Sequence, residues 1–211
     1  MTRPALYIAI AGNIGAGKSS LASFLAERFD LDLVAEPNED NPFLAPFYED
    51  MPRWAFHSQA FFLGRKALLH ADFATRTRPF VQDRTLWEDA EIFARHLAST
   101  RKMSPDEDRV YRMLYDALRP GLRPPDLMIR LRCPVATLTK RIEGRGRAME
   151  KALPRSYLRA LDKLYDTWFA SYQLSPVVEF RTDHFDPLTN LVDQEELLHV
   201  VAASLGVPPA T

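Results

Sequence analysis

The sequence predicts an α/β fold, a doubly wound five-stranded parallel sheet with helices on both faces. Short apolar runs alternate along the chain with stretches of helical periodicity, which is the pattern of parallel strands joined by crossover helices. A glycine-rich turn separates the first apolar run from the first helical stretch. The chain has 211 residues and is 46% hydrophobic, which is enough for one core. We therefore expect a single domain over residues 1–211.

Apolar runs and helical periodicity place the individual elements in chain order. The expected strands are 6–11, 33–35, 80–82, 127–131 and 177–180. The expected helices are 19–29, 54–73, 86–99, 105–118, 136–142, 154–172 and 193–205. The helix at 105–118 has the clearest start, because Ser104 can cap it, Pro105 suits its first turn and Glu107 stands where a capping box needs an acid.

Charge and cysteine content narrow the functional classes. The 27 Lys and Arg residues balance 28 Asp and Glu, and a net charge of -1 gives no reason to expect binding to nucleic acid or to a membrane surface. Charges interrupt every apolar stretch before it reaches membrane-spanning length, and we recognise no targeting segment. The single cysteine, Cys133, cannot form an internal disulfide, and the histidines lack metal-ligand spacing. We expect a cytoplasmic protein without a zinc site.

Residues 12–19 read Gly-Asn-Ile-Gly-Ala-Gly-Lys-Ser, the pattern of a phosphate-binding loop between a strand and a helix. Such a loop turns its N–H groups inward as an anion site at the positive end of the helix. Lys18 supplies charge for the β- and γ-phosphates, and the Ser19 hydroxyl is an expected magnesium ligand. The pattern predicts a P-loop NTPase-type domain that binds a nucleoside triphosphate, rather than a simple turn. The expected nucleotide contacts in this loop are Gly12, Asn13, Ile14, Gly15, Ala16, Gly17, Lys18, Ser19 and Ser20.

Glu36 and the pair Asp83-Arg84 each follow an expected strand. Ligands of doubly wound sheets bind outside the carboxyl ends of the strands, so these residues and the glycine-rich loop should meet in one crevice. Asp83 is an expected magnesium ligand beside Ser19, or alternatively a helix N-cap. Glu36 is an expected general base for an acceptor hydroxyl, or alternatively a carboxylate that pairs with an arginine. Arg84 would contact Glu36 or the transferred phosphate.

Three arginines, Arg141, Arg145 and Arg147, bracket two glycines at the end of an expected helix. Arginines on a segment made flexible by glycine suit a lid that closes over a triphosphate and stabilises its developing negative charge. We therefore expect an arginine-rich lid at about residues 141–151, in which all three arginines contact the nucleotide. The alternative is a solvated basic helix end, which the helix dipole favours.

With these motifs in this order, nearly the whole chain resembles the deoxynucleoside kinase family, whose members phosphorylate the 5′-hydroxyl of deoxynucleosides. The family's Glu-Pro pair appears as Glu36-Pro37, which implies that Glu36 is the catalytic base. Its acid-Arg-Ser signature appears as Asp83-Arg84-Thr85, with Asp in place of the commoner Glu. The side chain is one methylene shorter, which leaves both direct and water-mediated contact with magnesium open. The implied catalytic residues are Glu36, Arg84, Lys18 and Arg145.

The resemblance also implies the contacts of the acceptor nucleoside. Gln59 matches the glutamine that bonds the base, Tyr48 the tyrosine that bonds the sugar 3′-hydroxyl, and Glu150 the lid acid that shares this hydroxyl. Lys66 and Asp89 stand where members that take purines or deoxycytidine carry an Arg and an Asp. Deoxyadenosine or deoxyguanosine is therefore favoured, with deoxycytidine as a further candidate. The expected acceptor contacts are Glu36, Tyr48, Gln59, Phe62, Lys66, Arg84, Asp89 and Glu150.

Four of the acceptor residues also have a purely structural interpretation. Phe62 lies on an apolar helix stripe and is as well explained by the core as by a wall of the base pocket. Gln59 is alternatively a surface residue, and Lys66 with Asp89 an exposed ion pair of little energetic weight. The segment 41–44, Asn-Pro-Phe-Leu, nevertheless resembles the bacterial deoxyadenosine/deoxyguanosine kinase branch.

ATP as phosphate donor and Mg²⁺ are the small molecules that this interpretation requires. A nucleoside monophosphate kinase is the first alternative, but residues 36–59 carry several acids and a single cation, Arg53, which disfavours a charged acceptor. A non-catalytic nucleotide-binding subunit that regulates a partner kinase is the second. The long apolar helices 54–73 and 86–99 favour a dimer, as does the resemblance, either of two identical chains or with a related subunit.

Overall fold

The computed structural model describes residues 5–147, 150 and 153–205. All neighbouring strands pair in parallel, in the order β2-β3-β1-β4-β5, which confirms the predicted five-stranded sheet. The first strand along the chain is central in the sheet, between the third and the fourth. The strands are β1 (Tyr7–Gly12), β2 (Asp32–Val34), β3 (Phe80–Asp83), β4 (Leu127–Arg132) and β5 (Val177–Arg181).

Helices form the connections between these strands. They are α1 (Lys18–Arg28), α2 (Leu44–Glu49), α3 (Met51–Phe73), α4 (Leu86–Glu88), α5 (Arg95–Ser99), α6 (Pro105–Leu118), α7 (Val135–Arg145), α8 (Arg155–Ala170) and α9 (Leu191–Leu205). A π-helical turn, Asp89–Ala94, joins α4 to α5, so the predicted helix at 86–99 is continuous but changes its geometry in the middle. Ser104 caps α6 in a capping box with Glu107, as predicted.

The core lies on both faces of the sheet. Successive residues of a strand point to opposite faces, and in β1 both sets are fully buried, Tyr7 and Ala9 on one face and Ile8 and Ile10 on the other. Helices therefore cover the sheet from both sides, as the alternating pattern predicts. None of the described helices is both long enough and apolar enough to cross a bilayer.

The short helix α2 is absent from the predicted elements. It has only six residues and contains Pro46, so it has no helical periodicity to detect. The next residue after it, Asp50, accepts a hydrogen bond from the Arg53 N–H at 3.2 Å and thereby starts α3 three residues before the predicted position. The pair α2 and α3 matters for function because it presents Tyr48 and Gln59 to the same cavity.

Candidate active site

One cavity of about 780 Å³ opens at the carboxyl ends of the strands. Residues 14–21 of the glycine-rich loop line one end of it, and side chains from α2, α3 and the π-helical turn line the other. Glu36 and Arg84 lie between the two ends. This volume is typical of small-molecule sites, and the segments that the sequence predicts to converge do so here.

The glycine-rich loop owes its close packing to missing side chains. A Cβ at Gly12 would lie 2.7 Å from the Leu131 carbonyl oxygen, closer than real Cβ atoms approach. Gly15 has a φ of +81°, and a Cβ there would meet Ile142 at 3.0 Å. Any larger residue at these positions would push the loop away from β4 and α7. The loop ends at Lys18, the first residue of α1, so the positive end of that helix faces the cavity.

Lys18 and Ser19 carry the side-chain chemistry of this end. The Lys18 ammonium donates to the Asn13 carbonyl oxygen at 3.0 Å. Burial lowers the pKa of Lys18 to about 8, and nearby Arg84 acts in the same direction. Ser19 donates its hydroxyl to Asp83 Oδ2 at 2.5 Å, while Asp83 Oδ1 is buried without a hydrogen-bond partner among the described residues. A hydroxyl beside a carboxylate with an unused oxygen fits a magnesium ion.

Glu36 and Arg84 form an ion pair inside the cavity, with Arg84 Nε 2.5 Å from Glu36 Oε1. Asn38 donates to the other Glu36 oxygen at 3.0 Å. Burial alone would raise the pKa of Glu36, but the positive charges of Arg84, Lys66 and Lys18 outweigh it and hold this pKa at about 2. The sequence offers an ion pair with an arginine as the alternative to a catalytic role for Glu36, and this ion pair is present. It also keeps the Glu36 carboxylate ionised within the cavity.

Arg84 reaches Glu36 through an unusual backbone. Its φ is +62°, in the left-handed region that side chains other than glycine adopt at a cost. The N–H of Arg84 donates to the Ile10 carbonyl oxygen at 3.1 Å, and its guanidinium lies 4.2 Å from the centre of the Phe93 ring. These contacts stabilise the strained residue, and strain of this kind is concentrated at functional sites.

The N-cap alternative for Asp83 is wrong. Thr85 is the N-cap of α4, and it forms a full capping box with Glu88. The sequence shows Thr85 followed three residues later by Glu88, so the capping-box pattern could have identified this start. Asp83 instead ends β3, where it is free of capping and contacts Ser19.

The acceptor end of the cavity is built from buried polar groups. Gln59 is buried in the cavity wall, so the surface interpretation of this residue is wrong. Its Oε1 has no hydrogen-bond partner among the described residues, which leaves it available to a ligand. Phe62 also lines the cavity and contributes apolar surface there, while the rest of its ring packs within the protein.

Lys66 and Asp89 form a buried ion pair of 2.7 Å, with side chains 0% and 4% exposed. The exposed-pair alternative is therefore wrong. Asp89 lines the cavity, whereas Lys66 lies behind it and also approaches the Thr85 carbonyl oxygen at 3.4 Å. Burial raises the pKa of Asp89 to about 6, although the Lys66 charge opposes the rise. Asp89 thus presents an acceptor to the cavity at neutral pH.

Tyr48 and Glu150 line the cavity between its two ends. Burial raises the pKa of the Tyr48 hydroxyl well above its usual value, and Tyr157 and Glu150 act in the same direction. The hydroxyl therefore remains a hydrogen-bond donor. Glu150 accepts from Arg145 and, at 3.4 Å, from Arg147. The tyrosine and the acid that the resemblance assigns to one sugar hydroxyl are thus near each other.

The three arginines of the predicted lid differ in their contacts. Arg145 and Arg147 extend from the end of α7 to Glu150, and both line the cavity. Arg141 also lines the cavity, but it donates to the Thr182 hydroxyl at 2.9 Å and to the Thr182 carbonyl oxygen at 2.5 Å. Thr182 in turn donates to the Ala16 carbonyl oxygen at 3.2 Å, so Thr182 connects α7 to the glycine-rich loop. Residues 148, 149 and 151 of the expected lid lie outside the described residues, and its closure stays a prediction.

Several cavity or site-supporting residues escape sequence reasoning. Phe93 and Tyr157 line the cavity, and Tyr165 donates its hydroxyl to the glycine-rich loop. Tyr157 and Tyr165 are part of the apolar stripe of α8, so their polar tips give no separate signal in the sequence. Residues 185–188, after β5, line the cavity beside the loop, again without a recognisable pattern.

Comparison with known proteins identifies relatives over most of the chain. The family model for deoxynucleoside kinases matches residues 8–205. A deoxyadenosine/deoxycytidine kinase of Bacillus subtilis is 35% identical, over 89% of this chain and 90% of its own length. A deoxyadenosine kinase of Lactobacillus acidophilus is 33% identical over 94% and 95%, and a deoxyguanosine kinase of Bacillus subtilis is 35% identical over 76% of both chains.

A solved structure shows the same fold. It is a deoxyadenosine kinase from M. mycoides with the products dCMP and dCDP bound, and it matches with a TM-score of 0.82. The match covers 94% of this chain and 100% of that one at 24% sequence identity. At this identity the likeness supports the architecture, the parallel sheet with its covering helices.

Proposed function

This chain belongs to the deoxynucleoside kinase family, and we propose that it transfers the γ-phosphate of ATP to the 5′-hydroxyl of a deoxynucleoside in nucleotide salvage. One observation carries the proposal. Lys18 of the glycine-rich loop and the ionised Glu36 line the same 780 Å³ cavity. A triphosphate at the loop and a sugar hydroxyl at the carboxylate would therefore meet in one site, as phosphoryl transfer requires.

The loop and the helix dipole of α1 bind the triphosphate, and Lys18 compensates its charge. Ser19 and Asp83 would hold a magnesium ion, which when bound neutralises charge on the β- and γ-phosphates. Arg84 lines the same site and has a buried Nη1 without a hydrogen-bond partner among the described residues. This N–H is suited to a γ-phosphate oxygen. Arg145 would act on the same phosphate from the lid.

Glu36 orients the acceptor hydroxyl and takes its proton. The acceptor oxygen forms a bond to the γ-phosphorus while the bond from that phosphorus to the bridging oxygen breaks, so that ADP leaves. The hydroxyl proton passes to the Glu36 carboxylate. With its pKa held at about 2, Glu36 is ionised throughout the neutral range and accepts the proton late, which suits a loose transition state.

The acceptor end supports a neutral nucleoside. Lys66 is paired with Asp89, and Arg84, between the two ends, is paired with Glu36 and keeps its remaining N–H for the γ-phosphate. A nucleoside monophosphate would need a cation that is free to bind its phosphate, so the arrangement disfavours the monophosphate kinase alternative. Tyr48 lines the cavity, and by the family resemblance it would contact the sugar and leave little space for a ribose 2′-hydroxyl.

For the base, we propose a purine deoxynucleoside, deoxyadenosine or deoxyguanosine, with deoxycytidine as a further substrate. Gln59 offers an amide with one free oxygen, and Asp89 offers a carboxylate. Together they can both accept from and donate to a base edge. Most of the relatives named above are kinases of deoxyadenosine or deoxyguanosine, which supports a preference for these two nucleosides over deoxycytidine.

A panel of acceptors tests the proposal. The purified protein is incubated with ATP, Mg²⁺ and each of the four deoxynucleosides, their ribonucleoside counterparts and deoxyadenosine monophosphate. We expect monophosphate from deoxyadenosine or deoxyguanosine, much less product from the ribonucleosides and no diphosphate from the monophosphate. Turnover of the monophosphate alone would favour the monophosphate kinase, and binding of ATP without any turnover would favour a regulatory subunit.

We also propose that the chain works as a dimer in the cytoplasm, with an identical or a related subunit. Leu68 on α3 is 67% exposed, which supports an apolar contact on that helix. Cys133 is a free, buried thiol, which supports a reducing compartment. Light scattering coupled to size-exclusion chromatography should give twice the chain mass at micromolar concentration, and Leu68→Glu should shift it toward the monomer.

A further inference from the structure

The carboxylate of Glu88 is fully buried and joins two separate parts of the phosphate site. Its Oε1 accepts from the Gly12 N–H at 3.1 Å. Its Oε2 accepts from the Thr85 N–H at 2.8 Å and from the Thr85 hydroxyl at 3.1 Å. Gly12 begins the glycine-rich loop, and Thr85 directly follows Arg84, so a single side chain contacts both segments.

This contact continues the sheet beyond its last backbone pair. The pairing of β1 with β3 ends at Ile10 and Asp83, followed only by the bond from the Arg84 N–H to the Ile10 carbonyl oxygen. Past that point the chains diverge, one into the glycine-rich loop and the other into α4. Glu88 bonds to one N–H on each side of the gap, at Gly12 and Thr85, and so replaces the missing ladder contact.

Tyr165 of α8 supplies the other half of the arrangement. Its hydroxyl lies 2.8 Å from the Gly12 carbonyl oxygen and 2.8 Å from Glu88 Oε1. Burial, reinforced by the charge of Glu88, raises the pKa of this hydroxyl well above its usual value, so it keeps the proton that it donates. The single Tyr165 proton is shared between these two acceptors, so the Glu88–Tyr165 pair contacts both the N–H and the carbonyl of Gly12.

We infer that Glu88 and Tyr165 are positioning residues that set the distance between the triphosphate loop and the Asp83-Arg84 segment. Neither residue lines the cavity, so both act through Gly12 and Thr85 rather than on the substrate. The distance matters because Ser19, after the loop, and Asp83, before Thr85, are in contact at 2.5 Å. The inference rests on the proposed function in one respect only, that the loop binds ATP.

Tyr165→Phe is the first test, since it removes one oxygen and keeps the ring. Titration calorimetry with ATP and Mg²⁺, in the absence of acceptor, should show an affinity about fivefold to tenfold lower than that of the wild type, as expected for the loss of one buried hydrogen bond. In assays of turnover the KM for ATP should rise by a similar factor, while the KM for the deoxynucleoside stays within about twofold.

The chain offers a matched control at some distance from the loop. Tyr115 of α6 approaches Glu91 Oε1 at 3.4 Å, which is the same pair of residue types without a contact to the glycine-rich loop. Tyr115→Phe should leave the affinity for ATP unchanged. A melting curve for each variant shows whether the protein is folded. If Tyr165 had a purely structural role, Tyr165→Phe would lower the melting temperature without a selective change in the KM for ATP.

Glu88→Gln is the second variant, with Glu91→Gln as its control. The amide has one acceptor oxygen in place of two, so it leaves either Gly12 or Thr85 without its partner, and the loss of ATP affinity should be at least as large as in Tyr165→Phe. Combined with Tyr165→Phe, its effect should be smaller than the product of the two, because both act on Gly12. If Glu88→Gln does not fold, the ATP affinity of Tyr165→Phe alone tests the inference.

The inference is overturned if folded Tyr165→Phe binds ATP within about twofold of the wild type, or if Tyr115→Phe loses as much affinity. Binding is measured without acceptor, so the result does not depend on which nucleoside is phosphorylated. A wild-type protein that binds ATP but turns over no nucleoside would contradict the proposed function and leave the role of Glu88 and Tyr165 in ATP binding supported by its own data.

Discussion

The two ends of the cavity are built in different ways. The donor end is built around one contiguous segment, residues 12–20, which depends mainly on backbone geometry and a helix terminus, and Asp83 joins it through Ser19. The acceptor end gathers side chains from four separate elements, among them Glu36, Gln59 and Asp89. A site made from one segment keeps its chemistry within a local pattern, whereas a site made from several depends on how the chain packs.

The charges differ as well. At the donor end, the Lys18 ammonium bonds only to a backbone carbonyl, and no described carboxylate lies within 4 Å of it. At the acceptor end, the Lys66 ammonium is buried and paired with Asp89. A free cation suits an anionic ligand and paired cations suit a neutral one. The comparison indicates a charged donor and an uncharged acceptor, and four variants or conditions test it.

Glu36→Gln should have the largest effect. It keeps the shape of the side chain but removes the proton acceptor, so kcat should fall by roughly 10²–10⁴ while the affinity for ATP changes little. Steady-state kinetics measures kcat, and a separate titration measures the affinity for ATP. Glu49→Gln, on the exposed end of α2 and outside the cavity lining, is the control and should behave as the wild type. Normal turnover of Glu36→Gln would show that this residue is not the base.

Lys66→Ala should affect the acceptor end and the stability of the fold. Removal of one partner of a buried ion pair costs about 3–5 kcal/mol, measurable by urea unfolding, and this loss should shrink near pH 5 as Asp89 takes up a proton. The order in which the enzyme prefers the four deoxynucleosides should change more than its turnover rate with the preferred one. Arg65→Ala, which breaks an exposed pair with Asp40, is the control. An unchanged ranking would separate Lys66 from base recognition.

Asp83→Asn tests the donor end. Loss of the carboxylate beside Ser19 should raise the Mg²⁺ concentration needed for half-maximal activity by about 10–100-fold, without a comparable change in the KM for the deoxynucleoside. The control is Asp32→Asn, since Asp32 begins β2 and therefore lies at the amino ends of the strands, away from the cavity. If the dependence on Mg²⁺ is the same in Asp83→Asn as in the wild type, the ion is bound elsewhere.

The smallest effect is expected from pH. Because the pKa of Lys18 is lowered to about 8, the free protein loses this positive charge as the pH rises through that value. The affinity for ATP should then be roughly tenfold weaker at pH 9 than at pH 7, whereas the KM for deoxyadenosine, a neutral acceptor, should stay constant. Titration calorimetry between pH 7 and pH 9 measures this change in the affinity for ATP. A flat affinity up to pH 9 would mean that Lys18 keeps its charge.

Most of the fold follows from patterns along the chain, and the misses have local causes. The alternation of strands and helices predicts the sheet, and Ser104 predicts the start of α6. The helix α2 is too short for periodicity, and no pattern in the sequence distinguishes the π-helical turn within the predicted helix. Both omissions affect the acceptor end, where Tyr48 and Asp89 depend on these two elements.

The sequence by itself determines the donor end, because the glycines, Lys18 and Ser19 act through a backbone turn that their own order specifies. Only the tertiary structure decides that Lys66 is buried with Asp89, that Arg84 pairs with Glu36, and that Glu88 and Tyr165 meet at Gly12. Tyr165 is 153 residues from Gly12 along the chain. Contacts at such separations depend on how the elements pack, and each residue alone is equally compatible with the surface or the core.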